Sequence, residues 1–594
     1  MPTNRPLKVF AFDPTRGKTM GNVMTINVPY ECLTCGPVGG YLAVIDYDAS
    51  NGCYYHPVNL DHPGVLMGGG LDPSESDPRF HQQMVYAVAS ETIRRFEYAL
   101  GRRARWSMQR SAKNDPFSGK LRIYPHAMQE ANAFYDRERR ALLFGYFPAS
   151  ESDAGANLPG QTIFTCLSHD IIVHETTHAL IDGQREFFLE PTSHDTLAFH
   201  EGFADIVALL QHFSFKEALL EVIQKTGGAL YQPELEAMRR PSADGAMIMS
   251  ELRESNPLVQ LARQFGEAMG MRGALRSAIG TRPNTNDMQT VFEPHLRGAI
   301  LVAAVFDAFF TIYVRRTEDL MRIARASGRL ASVGEIHPDL ANRLADQASR
   351  IASHFSNICI RAIDYCPPVD ISFGDFLRAM VTADRVMVPN DPHGYRAALI
   401  DAFRLRGIQP QDVPSYAEES LLWSPPEEFT GIPCPDCSGL IVDPAMCPSK
   451  GQIVRNHTTM NKYGTANAQA LGLTPGVPIQ CKSFHPIHRV GPDGRVHFDI
   501  VTELVQQRTL PVIPGQAKPV FKFRGGTTLI LNQSGKPLYS IMKKLGSEGT
   551  DNSRLARQRA YFNQLNDASA MSVYMDVKGA DSTATSFDTI HRGF

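Results

Sequence analysis

Two short stretches constrain this chain more than any other: His174-Glu175-Thr176-Thr177-His178, and Glu201 with Asp205, beginning 23 residues after the second histidine. Both lie in segments with helical spacing, CLSHDIIVHETTHALIDG and TLAFHEGFADIVALLQHF. On a helix, residues four apart share a face, one turn above the other. The imidazoles of His174 and His178 can therefore grip one zinc ion, with Glu175 turned toward a water in an open metal position. Zinc lowers the pKa of such a water toward about 7, and a neighbouring carboxylate can take the proton. This chemistry needs a third protein ligand. Glu201 can supply it, because 23 residues suffice for a loop and a helix returning antiparallel. Asp205, on the face of Glu201, can accept the N–H of a zinc-bound histidine and fix its tautomer. HExxH alone arises by chance in many helices. Two polar pairs four residues apart inside apolar helices would be costly to bury without a purpose. The expectation is one catalytic zinc held by His174, His178 and Glu201, with Glu175 as base.

The 594 residues exceed what one core usually spans, so two or three domains are expected. With 43% hydrophobic and 20% charged residues, a net charge of -3 and no long basic stripe, nothing points to nucleic-acid binding. The apolar run from Gly298 to Val314 is short for a membrane span and is interrupted by Asp307, so a buried core helix is expected. No basic start followed by an apolar run is visible. A cytoplasmic, reducing location is therefore the expectation, with export by a signal-independent route left open. The runs KVFAF, VMTINV and GYLAVIDYD read as strands of an antiparallel sheet, followed by a helix near Met84–Leu100 and strands at Leu121–Tyr124 and Ala141–Phe147. The division expected is a β-rich part over 1–160, a helical part with the zinc site over 161–410, an acidic, proline-bearing linker over 411–433, and a β-rich domain of unknown role over 434–594, with a hairpin turn at Gln533–Lys536.

HETTHALIDG followed by HEGFAD resembles the thermolysin-like zinc metallopeptidases, the gluzincins, whose pattern is HExxH plus a later ExxxD. The resemblance runs over about residues 1–410. It implies an α+β, two-lobed metallopeptidase fold: an N-terminal β-rich lobe, central zinc-site helices and a C-terminal helical lobe, here followed by the small β-rich C-terminal domain. Asn132-Ala133-Phe134-Tyr135 is similar to the family's Asn-Ala-aromatic-aromatic edge strand, which implies that Asn132 and Ala133 bind substrate backbone by β-addition. Ala274-Leu275-Arg276-Ser277 is similar to a segment whose arginine reaches a substrate carbonyl and whose leucine lines the pocket after the scissile bond. Ile171, three residues before His174, would share that pocket with Leu275, implying a preference for a hydrophobic residue there. His295, in PHLRGAI, resembles the family's transition-state histidine, a donor to the oxyanion. The family's partner aspartate lies five residues earlier, where this chain has Thr290, leaving Asp287 and Glu293 as alternatives. Calcium is doubtful: Asp170 occupies one family ligand position, but His212 stands where a second acid is needed.

The expected function is hydrolysis of peptide bonds in a peptide or protein substrate, as an endopeptidase. The alternatives are a narrow-specificity exopeptidase, or a peptidase-derived zinc-binding protein whose C-terminal domain serves binding or inhibition. Glu175 argues against the last, since a purely structural zinc has no need of it. Cys434, Cys437, Cys447 and His457 could hold a second metal, although their spacing is not a strong zinc-ribbon pattern. Cys32 and Cys35 form another CxxC without a second pair nearby.

Overall fold

The computed structural model describes residues 2–12, 14, 22–107, 117–152, 157–225, 279, 281–326, 337–426, 439–443, 448–491, 493–515, 520–546 and 553–567. The fold is α+β. Alternation of small polar and apolar residues makes β1 (Asn4–Phe10) and β2 (Val23–Pro29) an antiparallel pair, with Met24, Ile26 and Val28 turned inward. The third expected strand behaves differently. GYLAVIDYD yields β3 (Leu42–Val44), which pairs in parallel with β6 (Leu121–Met128) rather than antiparallel with its predecessors. Between them lie the short hairpin β4 (Tyr47–Asp48) and β5 (Cys53–Tyr54), then helices α1 (Pro63–Met67) and α2 (Pro78–Leu100). Asp77 caps the start of α2 and Gly101, at φ +69°, ends it. The main N-terminal sheet runs β3-β6-β8-β7, where β7 is Ala133–Asp136 and β8 is Ala141–Pro148; β9 (Thr162–Phe164) pairs with the far end of β8. β7 is thus an edge strand.

The helical part comprises α3 (His169–Gln184), α4 (His194–Phe213), α5 (Lys216–Lys225), α6 (Asp287–Thr290), α7 (Pro294–Ala326), α8 (Pro338–Ala362), α9 (Phe373–Met387), α10 (Tyr395–Leu405) and α11 (Glu418–Leu421). Among the described residues only α7 is long and apolar enough to cross a bilayer, and 89% of its apolar window is buried inside the fold. It packs against α4, α8 and α10 as a core helix.

The C-terminal part contains α12 (Lys450–Ala466), a meander of β10 (Gln480–Val490), β11 (Val496–Pro511), β12 (Val520–Asn532) and β13 (Pro537–Lys543), and α13 (Ser553–Asp567). The side chain of Asn532 accepts from the backbone N–H groups of Ser534 and Lys536 and shapes the β12–β13 turn. This sheet is buried on both faces. Phe484, Ile500, Leu504, Leu529 and Leu531 pack with Met460 and Tyr463 of α12. Ile487, Val501, Ile530 and Ile541 join the large core shared with the helical part. Buried ions reinforce that junction. Arg185, just past α3, donates to Glu503 (2.6 Å) and Thr528 (3.1 Å). Asp364 receives Arg102 at both carboxylate oxygens (2.7 Å each) and also Arg489.

Candidate metal centre

α3 is buried on nearly every face. Thr176 and Thr177 donate to the carbonyls of Ile172 (2.6 Å) and Val173 (2.8 Å), one turn back. His174 and His178 project together, their Nε2 atoms 2.9 Å apart. α4 packs against α3 and brings Glu201 Oε2 to 3.4 Å from His174 Nε2 and 3.6 Å from His178 Nε2. Ligand atoms of Glu175, His174 and His178 lie within 4.8 Å of one another. α4 in turn meets α7 at a close crossing. A Cβ on Gly202 would stand 2.8 Å from the carbonyl oxygen of Gly298, and one on Gly298 would stand 2.9 Å from the carbonyl of Ala198. Two glycines therefore let these helices touch, and His295 at the start of α7 reaches to 3.5 Å from Glu201 Oε2.

The hydrogen bonds around the rim set the tautomers. Asp205 Oδ1 lies 2.7 Å from His174 Nδ1, so Nδ1 carries a ring proton and Nε2 is the nitrogen that would face a metal. His178 Nδ1 faces His200 Nδ1 at 2.7 Å, with the rings stacked at 4.9 Å. Burial lowers the pKa of His200 to about 3, keeping that ring neutral. When His178 Nδ1–H donates to His200, the Nε2 of His178 is a lone pair, which is the tautomer a metal on Nε2 requires. Burial opposes the charge of Glu201, but His178 and His295 hold its carboxyl well below the usual range. Burial likewise opposes an imidazolium at His174, yet the carboxylate of Asp205 overcomes it and raises His174 well above its ordinary value. His178 is driven the other way, chiefly by burial. Two imidazole nitrogens and one carboxylate therefore converge where positive charge is favoured, either a proton on His174 or a metal ion in its place. Ligands of a tetrahedral zinc lie roughly 3.3–3.5 Å apart, from bond lengths of about 2.0–2.2 Å. The carboxylate distances match that spacing, and the histidine pair needs to open by a few tenths of an ångström. These residues fit zinc.

His295 Nδ1 lies 3.0 Å from Glu293 Oε1. Asp287 instead accepts from Asn284 (2.6 Å), and Thr290 turns back to the carbonyl of Asn286 (3.2 Å). Of the acids considered for orienting His295, Glu293 is the one in contact. His200 is a participant that sequence reasoning missed, although it stands directly before Glu201.

Ala133 begins the edge strand β7, which runs beside α3, and Tyr135 of that strand donates to Asp182 of α3 (2.8 Å). Asn132 is buried; its carbonyl accepts from Gly145 N–H (2.9 Å), while its Nδ2 has no hydrogen-bond partner among the described residues. Ile171 lies one turn before His174, partly buried against the core. Leu275 and Arg276 lie outside the described residues, as do Cys434, Cys437 and Cys447. His457 is on α12 and half-buried. Asp170 Oδ1 lies between His169 Nδ1 (3.1 Å) and His212 Nδ1 (3.0 Å). Calcium takes hard oxygen ligands, and this triad offers one carboxylate between two imidazoles.

Compared with known proteins, the chain matches no family model and no curated protein.

Proposed function

We propose that this chain is a zinc-dependent metallopeptidase of the thermolysin-like type, acting as an endopeptidase, with its β-rich N-terminal part and its helical part as the two lobes beside the cleft. The observation that carries the reading is the convergence of His174, His178 and Glu201 on one point that Glu175 and His295 also border. A zinc ion held there supplies Lewis acidity, lowering the pKa of a water and polarising a carbonyl.

The remaining work falls to the side chains. The edge strand beginning at Ala133 holds the substrate backbone by β-addition. Glu175 takes the proton of the attacking water and passes it to the leaving amine. With the Glu293 carboxylate at Nδ1, His295 donates from Nε2 to the oxyanion of the tetrahedral intermediate. Asp205 and His200 hold the two ligand rings in their tautomers. Ile171, on the face of α3 one turn before His174, borders the pocket for the residue after the cut and favours apolar side chains there. Equal cleavage of a peptide library before acidic and aliphatic residues would remove that pocket assignment.

The test of the reading is zinc content and cleavage of a denatured protein mixture, for the native chain and for Glu175→Gln. The variant is expected to keep its zinc and lose cleavage. A native chain that holds zinc and cleaves nothing overturns the proposal.

A further inference from the structure

A second cluster of buried side chains repeats the arrangement of the metal centre in a different part of the fold. His81 on α2, His126 on β6 and Cys166 in the turn that leads into α3 bring their ligand atoms within 4.8 Å of one another. All are buried, at 1%, 2% and 0% exposure. His126 Nδ1 lies 2.7 Å from Asp46 Oδ1, whose other oxygen accepts from Gln82 (2.7 Å). His81 Nε2 lies 3.0 Å from the carbonyl oxygen of Glu75.

These outer contacts dictate where the ring protons sit. A carbonyl oxygen can only accept, so His81 carries its proton on Nε2. A carboxylate can only accept, so His126 carries its proton on Nδ1. The remaining nitrogens, His81 Nδ1 and His126 Nε2, are then both lone pairs, and they face each other across 2.8 Å. Two facing lone pairs repel unless a cation lies between them or beside them. Histidines whose outer N–H groups are held by a carboxylate and by a backbone carbonyl are the usual arrangement behind a bound metal. The His169–Asp170–His212 group is different, because there one carboxylate oxygen accepts from both rings and no lone pairs are opposed.

We propose that His81, His126 and Cys166 form a second, structural site for a borderline-soft transition-metal ion such as zinc. A thiolate with two imidazoles suits such an ion and does not suit calcium or magnesium. The rings of Phe164 (4.7 Å from His81) and Tyr55 (4.8 Å from His126) wall the cluster. A site this fully buried serves stability rather than catalysis. Its position explains what it stabilises. It ties α2, β6 and the residue three before His169 into one node, and so fixes the entry of the helix that carries His174 and His178. The inference stands independently of the peptidase reading.

Cobalt(II) is the probe, because a thiolate ligand gives a near-ultraviolet charge-transfer band that an imidazole–carboxylate centre lacks. The full chain loaded with cobalt should show that band and hold one ion more than the His174–His178–Glu201 centre accounts for. The band should persist when Cys434, Cys437 and Cys447 are all replaced by serine, and should vanish in Cys166→Ser with the loss of one ion. Absence of the band in the native chain overturns the proposal, as does its loss in the triple serine variant. If Cys166→Ser fails to fold, a chain with Cys32, Cys35, Cys53, Cys434, Cys437 and Cys447 all replaced by serine decides instead: the band should persist there, and its loss overturns the proposal. A band that survives in folded Cys166→Ser also overturns it.

Discussion

His200 Nδ1 lies 2.7 Å from His178 Nδ1, so the residue directly before Glu201 holds the ring of one of the two proposed histidine ligands. One helix, α4, then supplies three parts of the proposed centre: His200 behind His178, Glu201 beside both histidines, and Asp205 behind His174. Removing an outer partner of this kind typically costs 10–100-fold in metal affinity. His200→Phe keeps the stacked ring but loses the acceptor, and zinc affinity is expected to fall by about that factor. His200→Asn, whose carbonyl can still accept, should fall less. Competition against a chelator measures both, and equal affinity in His200→Phe and the native chain would show that His200 orients nothing.

Glu293 has two tasks at the start of α7. Its Oε1 faces His295 Nδ1, and its carboxylate accepts from the backbone N–H groups of His295 (3.1 Å) and Leu296 (2.7 Å), where a negative charge favours a helix N-terminus. Burial opposes its charge, but the bonds from His295 and the backbone hold its pKa below the ordinary 4.5. The sign follows: a carboxylate depressed in the folded state stabilises fully above about pH 4.5, and the contribution is lost as pH falls through the lower folded value. Glu293→Gln should therefore lower turnover by about tenfold with zinc content unchanged, and should weaken the acid dependence of stability. Turnover equal to native at pH 7 would place the orientation of His295 elsewhere.

The approach of α4 to α7 is set by atoms rather than by propensity. A Cβ at Gly298 would stand 2.9 Å from the Ala198 carbonyl and from Gly202 N, both backbone atoms that can move only with their helix. Gly298→Ala should push the helices apart, at an overpacking cost of about 1–3 kcal/mol. It should also draw His295 away from Glu201. The expected signature is a loss of kcat/KM larger than any loss of zinc. Full activity with an unchanged Tm would mean that the crossing has slack.

What could be read from the chain and what could not divide along the same physical line. His174, Glu175 and His178 follow from helical periodicity alone, and Glu201 with Asp205 from the same rule applied once more. His200 is one residue from Glu201, yet its direction depends on how α3 crosses α4, which no spacing reveals. The choice of Glu293 over Asp287 rests on where α7 starts, because only a side chain just before Pro294 folds back onto His295. His81, His126 and Cys166 belong to three separate elements and share no motif. In the C-terminal part, the β-type runs announced the strands, but Arg102, Arg185, Asp364 and Glu503 look like surface residues until the fold pairs them in its interior.

Those buried pairs make the last expectation concrete. Asp364 holds Arg102 and Arg489 together at the junction of α2, the end of α8 and β10, while Gln184 at the end of α3 also accepts from Arg102 (2.8 Å). Burial opposes the charge of Asp364, but the two guanidinium groups outweigh it and lower its pKa from the ordinary 3.8. Its stabilisation is thus present above about pH 4 and lost as pH falls through the depressed folded value. Asp364→Asn leaves two arginines facing each other without a counter-charge, and breaking a buried pair this way costs about 3–5 kcal/mol. The variant should unfold at a clearly lower denaturant midpoint at pH 7, with the gap from native closing as the pH approaches the acid range. The helix that carries His174 and His178 ends at this junction, so removal of residues beyond 410 should destabilise the proposed centre rather than raise the proposed activity. A shortened chain that folds, binds zinc and cleaves faster than the full one would show instead that the C-terminal sheet restrains the active site.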